Sequence, residues 1–544
     1  MYRPGIVTRE HATSLPDDPA ELRAMLLRVI DERDARQTEH DARVARLTVE
    51  RDDAVRTLKL YLAKRFGPRI ETLDPAQLGL FADEVKATER QAAAETIAVP
   101  SHTRRKGGPK PLPEGLPRET VVHGLSAEER ACPCCSRERL ECARSRHEVV
   151  EIEPAKLKVV VHETVHYLCP ECRGRPASGR RPSLPLPKGY AAASLLAYVA
   201  VSKFADHAPL YRQEGMLARS GLDLSRSSMC GWMLGCAELL EPLIDLMRRD
   251  VRASKVIQSD DTTVPTLGLV KGRAKDARLW CYVGSRGGDA DHRHAVFEYT
   301  VSREGKWPQR WLEGFTGYLQ TDAFAGYGAV CAAPGGAIEV GCWAHARRGF
   351  FDARDLAPGF CREVLDGIAG LYAVEREATE RRLSHDERRE LRERLSRPQL
   401  DAVLGLLESR RQEHLPKSPL RQATEYVLTR RGAFSRYLDD GAVEIDNNAC
   451  ERCMRSPALG RKNWLFAGSA DGGRAIASWL TVIQSSRLCE AEPFAYVSEL
   501  LTKLAEYRDM TAERKAAEGD AFLRELLPAA WLTRNPEKRL ALGR

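Results

Sequence analysis

From Lys255 onward the hydrophobic positions change from helical spacing to that of short β-strands. Three strand-like segments follow one another, at Val256–Leu267, Arg278–Val283 and Ala295–Val301. A short helix around Pro308–Gly314 leads into a strand at Gly317–Thr321, and a fifth strand-like segment, Ala337–Cys342, precedes helical sequence. Three hairpin-linked strands followed by alternating helix and strand predict a multidomain α/β protein with a ribonuclease H-like core.

Helical patterns flank this core on both sides. Residues 188–250 predict a helix-turn-helix-like domain, because Pro209 opens a helix, Gly221 marks a turn and Ser225 caps the helix that follows. The core is expected at 251–349 and 441–487, interrupted by a helical insertion at 350–440. A helical C-terminal domain is expected at 488–544.

The N-terminal region has a different pattern. Apolar residues of the 18–96 segment recur at three- and four-residue spacing, which predicts a coiled coil of the leucine-zipper kind; a lone solvated helix is the alternative. Residues 97–121 are rich in Pro, Gly, Arg and Lys. They predict a basic linker that either tracks a DNA backbone or is simply solvated.

Composition narrows the class of protein. The 544 residues are 43% hydrophobic and 30% charged with a net charge of +7, which favours several soluble globular domains and permits nucleic-acid binding. The absence of a signal-like start or a membrane-length apolar run predicts a cytoplasmic protein with no membrane partner. Fifteen cysteines without an export signal indicate reduced thiols, some of them metal ligands.

Four of these cysteines form two CxxC motifs within the 122–187 segment. Cys132 with Cys135 and Cys169 with Cys172 predict a structural Zn²⁺ site, because four thiolates complete a tetrahedral shell. A redox or merely packed cysteine cluster is the alternative. Cys134 and Cys142 are alternative ligands.

Three acidic residues suggest a second kind of metal site. Asp260 lies within the first strand-like segment, Asp322 ends the fourth, and Glu451 lies on a short helix that Pro457 is expected to stop. Carboxylates on strand ends and a facing helix can hold two Mg²⁺ ions about 3.5–4 Å apart. Each acid taken singly is more often a cap, a turn residue or a surface charge, and Asp446 is better interpreted as a helix N-cap.

These residues lie within longer stretches that resemble the transposases of the insertion sequence 66 family. The stretches are VSKFADHAPLYRQ, SDDTTVPTL, LQTDAFAGY, CWAHARR, EIDNNACERCMRSPALGRKNWLFAGS and KRFGPRIETLDPAQLGLF. The resemblance implies a DDE-type enzyme with Asp260, Asp322 and Glu451 as the catalytic triad. The family tends to have Asp-Glu-Thr-Pro-Val where this chain has Asp260-Asp261-Thr262-Thr263-Val264, and the alignment makes Asp260 the ligand.

Four further residues are candidates for DNA contact. His345 is placed near Asp322, although a buried histidine satisfied by the backbone fits equally well. Arg455, Arg461 and Lys462 follow Glu451 and are interleaved with aromatic residues, a pattern that suits a surface gripping a DNA end or splayed bases. The alternative is an Arg455–Glu451 pair beside a Trp–Phe core.

The sequence therefore predicts a DNA transposase that binds the terminal inverted repeats of its element and joins the cleaved ends to target DNA. The protein is expected to act as a homodimer or larger assembly on double-stranded DNA, with small accessory proteins as candidate partners. Two rivals stay open: a catalytically inactive zinc and helix-turn-helix DNA-binding regulator, and a structure-specific nuclease on the same core.

Overall fold

The computed structural model describes residues 183–187, 189–284 and 293–540, with short stretches between 18 and 43 and between 157 and 178. The chain divides into a unit spanning 81–179 and a larger unit formed by the rest. In the smaller unit, β1 (His166–Tyr167) pairs antiparallel with β2 (Ala177–Ser178). The basic linker, the zinc-ligand cysteines and most of the predicted coiled coil lie outside the described residues, so these remain predictions.

The larger unit contains a five-stranded mixed sheet. Its strands are β3 (Val256–Val270), β4 (Arg273–Gly284), β5 (His294–Thr300), β6 (Tyr318–Gln320) and β7 (Ile338–Val340). The spatial order is β5-β4-β3-β6-β7. The first three strands are antiparallel hairpins, and β6 and β7 extend the sheet in parallel with β3. This arrangement is consistent with a ribonuclease H-like core and confirms all five predicted strands.

Fifteen helices surround the sheet in the larger unit between 183 and 540. Three α-helices precede the sheet: α1 (Ala193–Phe204), α2 (Leu210–Arg219) and α3 (Arg226–Arg252). Three lie among or directly after its strands, namely α4 (Lys306–Trp311), α5 (Gly328–Ala332) and α6 (Trp343–Asp352), and four follow, namely α7 (Pro358–Glu380), α8 (His385–Ser409), α9 (Pro419–Leu428) and α10 (Arg431–Ser435). The last five are α11 (Asn448–Trp464), α12 (Ala470–Leu488), α13 (Pro493–Arg508), α14 (Ala512–Glu525) and α15 (Pro528–Arg534). None of the described helices is long and apolar enough to span a membrane.

Two hydrophobic cores organise these layers. The larger core joins β3, β4 and β5 to α1–α3 and to the C-terminal helices, so the helices before and after the sheet share one interior with it. The second core lies among α6–α10 and includes Trp343, Phe350 and Phe434. The predicted helical insertion therefore has an interior of its own, beside the edge of the sheet that β7 forms.

The predicted turn between α2 and α3 is present. Gly221 adopts a φ of +86°, which is costly for residues with a Cβ, and the Ser225 hydroxyl accepts a hydrogen bond from Ser228 N at 3.2 Å. One predicted helix end is wrong. Pro457 does not stop the helix that carries Glu451, because α11 continues to Trp464 with Pro457 buried inside it. Proline removes only one helical hydrogen bond, and tertiary packing can compensate for that loss.

Candidate active site

Asp260 and Asp322 lie at equivalent positions of two neighbouring parallel strands. The pairing of β3 with β6 ends at Gln258 and Gln320, and each aspartate comes two residues after its glutamine. Because side chains alternate along a strand, Asp260 is on the same face of β3 as Gln258, and Asp322 follows directly after the end of β6. The strands thus bring the two predicted carboxylates to the same end of the sheet, just beyond the last backbone pairing.

The electrostatic surroundings of Asp260 connect it to both other predicted acids. Burial, together with the negative charges of Asp322 and then Glu451, raises the pKa of the Asp260 carboxyl to about 7. A hydrogen bond from Asp261 N to Asp260 Oδ1, at 2.7 Å, opposes this rise only in part. Three negative charges therefore converge on one enclosed region.

The neighbouring aspartate has a different environment. Asp261 is only 1% exposed and is paired with two arginines, with Arg278 Nη1 at 3.0 Å and Arg303 Nη2 at 2.8 Å from its carboxylate oxygens. Arg303 also donates to both oxygens through Nε. Two cations thus neutralise Asp261, whereas Asp260 faces other acids.

Arg303 connects the two segments that carry the aspartates. Its guanidinium lies 4.1 Å from the centre of the Phe324 ring, and its Nη2 is 3.9 Å from Asp322 Oδ2. Phe324 N in turn donates to Asp322 Oδ1 at 3.0 Å, across Ala323, whose φ is +65°. The arginine therefore bridges β3 and the segment after β6 where backbone pairing has ended.

Glu451 enters the site from the first turn of α11, and buried amides hold that turn against the sheet. Gln258 Nε2 donates to Asp446 O at 3.1 Å and to Glu444 Oε2 at 2.6 Å, while Gln258 Oε1 accepts from Cys450 N at 3.1 Å. Gln320 Nε2 donates to Glu444 O at 2.7 Å. These bonds fix the helix that carries Glu451 to the strands that carry the two aspartates.

Asp446 stabilises the start of the same helix. Its Oδ1 accepts a hydrogen bond from Asn448 N at 3.1 Å, although the cap position itself is occupied by Asn447. Tyr372 donates to the other oxygen at 2.7 Å, and burial raises the pKa of Asp446 to about 6. The capping interpretation of Asp446 therefore agrees with the geometry, displaced by one residue.

His345 lies beside Glu451, as part of a compact group on α6 and α11. His345 Nδ1 is 3.4 Å from Glu451 Oε1, and ligand atoms of Cys342, His345 and Glu451 all lie within 4.8 Å of one another. Cys342 donates its thiol to Asn447 Oδ1 at 3.0 Å, and burial raises its pKa well above the ordinary range. The histidine therefore contacts a predicted catalytic acid directly.

The three basic residues after Glu451 have different environments. Arg461 donates to Thr262 Oγ1 at 3.0 Å and to Thr263, so its guanidinium anchors α11 to β3. Lys462 is exposed to solvent, and Arg455 lies half-buried one turn beyond Glu451. The alternative interpretation, a Trp–Phe core, does not fit this region, since Phe466 is 45% exposed.

The chain matches two family models. The model described as "Transposase IS66 family" covers residues 188–475, more than half of the chain, and includes all three predicted acids. The chain belongs to this family. A second model, described as "Transposase C of IS166 homeodomain", covers residues 55–121. DDE transposases of this kind carry out phosphoryl transfer on DNA.

Relatives of this IS66 family chain occur in Sinorhizobium fredii. The uncharacterized protein y4qI is 32% identical over 90% of this chain and 95% of its own length. The uncharacterized protein y4hP is 32% identical over 78% of this chain and 79% of its own. The uncharacterized protein y4jD is 30% identical over 80% of this chain and 87% of its own length. No solved structure matches the chain.

Several residues of this site were missed from the sequence. Gln258 and Gln320 had a signal, because Gln-x-Asp occurs in both strands as Gln258-Ser259-Asp260 and Gln320-Thr321-Asp322. Arg303 had no such signal, since it lies 42 residues from Asp261 in the chain. Only the folded hairpins bring that guanidinium to the site.

Proposed function

We propose that this IS66 family chain is a DNA transposase that binds the ends of its insertion sequence and catalyses Mg²⁺-dependent strand cleavage and strand transfer. The observation that carries this proposal is the convergence of Asp260, Asp322 and Glu451 on one enclosed region. Family membership implies the class of reaction, and the geometry supports these residues as the ones that perform it.

The chemistry of this region suits divalent cations. Three carboxylates supply the hard oxygen ligands that Mg²⁺ prefers. The charged form of Asp260 is unfavourable without a cation, as its raised pKa shows. Within the described residues, Glu451 Oε1 is buried with no hydrogen-bond donor. Two bound Mg²⁺ ions would activate the attacking oxygen and stabilise the leaving oxygen of the phosphodiester.

The protein's own contribution is to hold these ligands on rigid elements. Gln258 fixes the first turn of α11 to the sheet, and Gln320 fixes the segment just before that helix. Arg303 contacts Asp261, next to Asp260, and Phe324, close after Asp322. His345, which lies beside Glu451, and exposed Lys462 are proposed to contact DNA phosphates. Hydrolysis at the element end frees a 3′-hydroxyl. This hydroxyl then attacks a phosphodiester of the target DNA, forming the new bond as the target 3′-oxygen leaves.

The α2–α3 pair is proposed to contribute to recognition of the element ends. Its turn at Gly221 and its cap at Ser225 support this proposal, because a helix-turn-helix needs a short turn and a second helix that begins at a defined residue. The first turns of α3 expose Arg226, Ser227 and Cys230, while the remainder of the helix is anchored in the larger core. A zinc domain at 122–187 and a coiled coil at 18–96 are proposed to add further DNA contacts and to pair two protomers, so that both ends meet.

The test is strand transfer by the purified full-length chain on labelled DNA from the ends of its element, with and without Mg²⁺. The wild type is expected to give joined products that require the metal, and Asp322→Ala is expected to give none. Asp276→Ala is the matched control, because Asp276 is exposed on the hairpin between β3 and β4. Cleavage without joining would favour the nuclease, and specific binding without cleavage, even with accessory proteins added, would favour the inactive regulator.

A further inference from the structure

The segment after α11 forms a strained turn. Leu465 has φ +61° and ψ −46°, and Phe466 N donates to Trp464 O at 2.7 Å. A hydrogen bond from residue i+2 to residue i around a positive φ defines the rare and strained form of the γ-turn. Strain of this kind persists only where the surrounding structure enforces it, and it is concentrated at functional sites.

The surrounding structure does enforce this turn from both sides. After the turn, Ala467 N donates to Pro265 O at 2.8 Å and Leu267 N donates to Ala467 O at 2.9 Å. These two hydrogen bonds fix Ala467 to the C-terminal half of β3. Before the turn, Arg461 binds Thr262 and Thr263 of the same strand. Leu465 and Phe466 therefore project from a short segment that is fixed at both ends.

The two residues that this turn presents are apolar and exposed. The side chain of Leu465 is 61% exposed and that of Phe466 is 45% exposed. The burial of apolar surface is the main favourable contribution to folding. A strained turn that directs two large apolar side chains into solvent gains no such burial. The conformation is therefore better explained by a ligand than by stability.

The charges around the turn indicate the kind of ligand. Lys462 is exposed one turn before Leu465, and the adjoining β3–β4 hairpin exposes Lys271, Arg273 and Lys275. Lys275 is opposite Thr266, the β3 residue that bridges to Ala467, so the basic hairpin adjoins the apolar turn. Asp276 is the exposed acidic residue of this hairpin, so the exposed charges of the hairpin sum to a net positive charge. Apolar side chains within a basic surface suit a polyanion with flat apolar rings.

We propose that the Leu465–Phe466 turn binds an unstacked base of the DNA, with the Phe466 ring stacked on the base and the neighbouring phosphates held by Lys462 and the hairpin. This inference rests on the proposed function. Thr266 is six residues beyond Asp260 on β3, or about 20 Å at roughly 3.3 Å per residue. That length corresponds to roughly six base pairs at about 3.4 Å each, so the base lies outside the catalytic centre.

The test compares the affinities of the full-length chain for two fluorescent duplexes, each about 30 base pairs of the same sequence. One duplex is fully paired and the other carries a single unpaired thymine. Anisotropy is measured without divalent cations, so that cleavage does not interfere. Because one base stacked on an aromatic ring has an effect on the order of tenfold in affinity, the wild type is expected to prefer the bulged duplex by about that factor.

Substitutions of Phe466 test whether its ring causes the preference for the bulged duplex. Phe466→Ala is expected to remove the preference while leaving affinity for the paired duplex nearly unchanged, and Phe466→Trp is expected to restore it. Phe494→Ala is the matched control, because Phe494 is 41% exposed on α13. Equal binding of both duplexes by the wild type, or an undiminished preference in Phe466→Ala, overturns this inference alone. Failure to bind either duplex overturns the proposed function as well.

Discussion

Asp260→Asn is expected to make the metal-free protein more stable at pH 8. The folded-state pKa of Asp260 is about 7, compared with an ordinary value of 3.8, because of burial and the charges of Asp322 and Glu451. The folded protein therefore holds the Asp260 proton more tightly than the unfolded chain does. Stability from this group is fully present below pH 3.8 and is lost as the pH rises through about 7.

The pKa values set the magnitude of this effect. A tenfold change in a proton-dissociation constant corresponds to about 1.4 kcal/mol, so the charge on Asp260 costs at most about 4 kcal/mol above pH 7. Since Asp260 is partly accessible to solvent, we expect a gain of about 1–3 kcal/mol for Asp260→Asn. Asparagine keeps the oxygen that accepts from Asp261 N, so little else changes.

The assay is urea unfolding followed by tryptophan fluorescence between pH 4 and 8 in Mg²⁺-free buffer. Asp276→Asn provides the control for removal of an exposed charge. Added Mg²⁺ is expected to stabilise the wild type as binding saturates, and to stabilise Asp260→Asn much less. The reasoning is refuted if the variant is no more stable than the wild type at pH 8, or if the difference does not shrink as the pH falls toward 4.

Three further substitutions test the surroundings of the site. Arg303→Ala is expected to lower the free energy of unfolding by about 1–2 kcal/mol, because buried Asp261 loses its bidentate partner. The control is Arg474→Ala, which removes a surface ion pair and is expected to change the free energy of unfolding by less than about 0.5 kcal/mol. Equal effects of the two substitutions would contradict the proposed bridge. Gln258→Leu leaves a backbone N–H of α11 without an acceptor and the partly exposed Glu444 carboxylate without this amide, so urea unfolding should show a loss of about 1–3 kcal/mol. The Mg²⁺ concentration needed for half-maximal stabilisation should rise, and an unchanged Mg²⁺ dependence would argue against a positioning role. Leu465→Gly relieves the strain of a positive φ, so thermal unfolding should show a variant that is as stable as the wild type or more stable by up to about 1 kcal/mol. A clear loss of stability would show that the turn is not strained.

The sequence predicted the features that depend on local patterns. Alternating apolar residues located all five strands of the sheet, and the shortest of them, β6 and β7, lie inside the predicted ranges. The cap at Ser225 and the turn at Gly221 follow from the chemistry of single residues. The three carboxylates were selected by their places in recognised stretches, and the sheet then placed Asp260 and Asp322 at equivalent positions of neighbouring strands.

Tertiary structure decided what depends on residues far apart in the chain. Pro457 is an intrinsic helix breaker, yet the packing of α11 in the larger core outweighs the one hydrogen bond that it removes. Asp260 and Asp261 are adjacent and chemically identical, and only the fold pairs Asp261 with arginines and leaves Asp260 facing acids. Local propensity is a property of a few neighbouring residues, whereas burial and charge environment are set by whichever distant side chains the fold brings together.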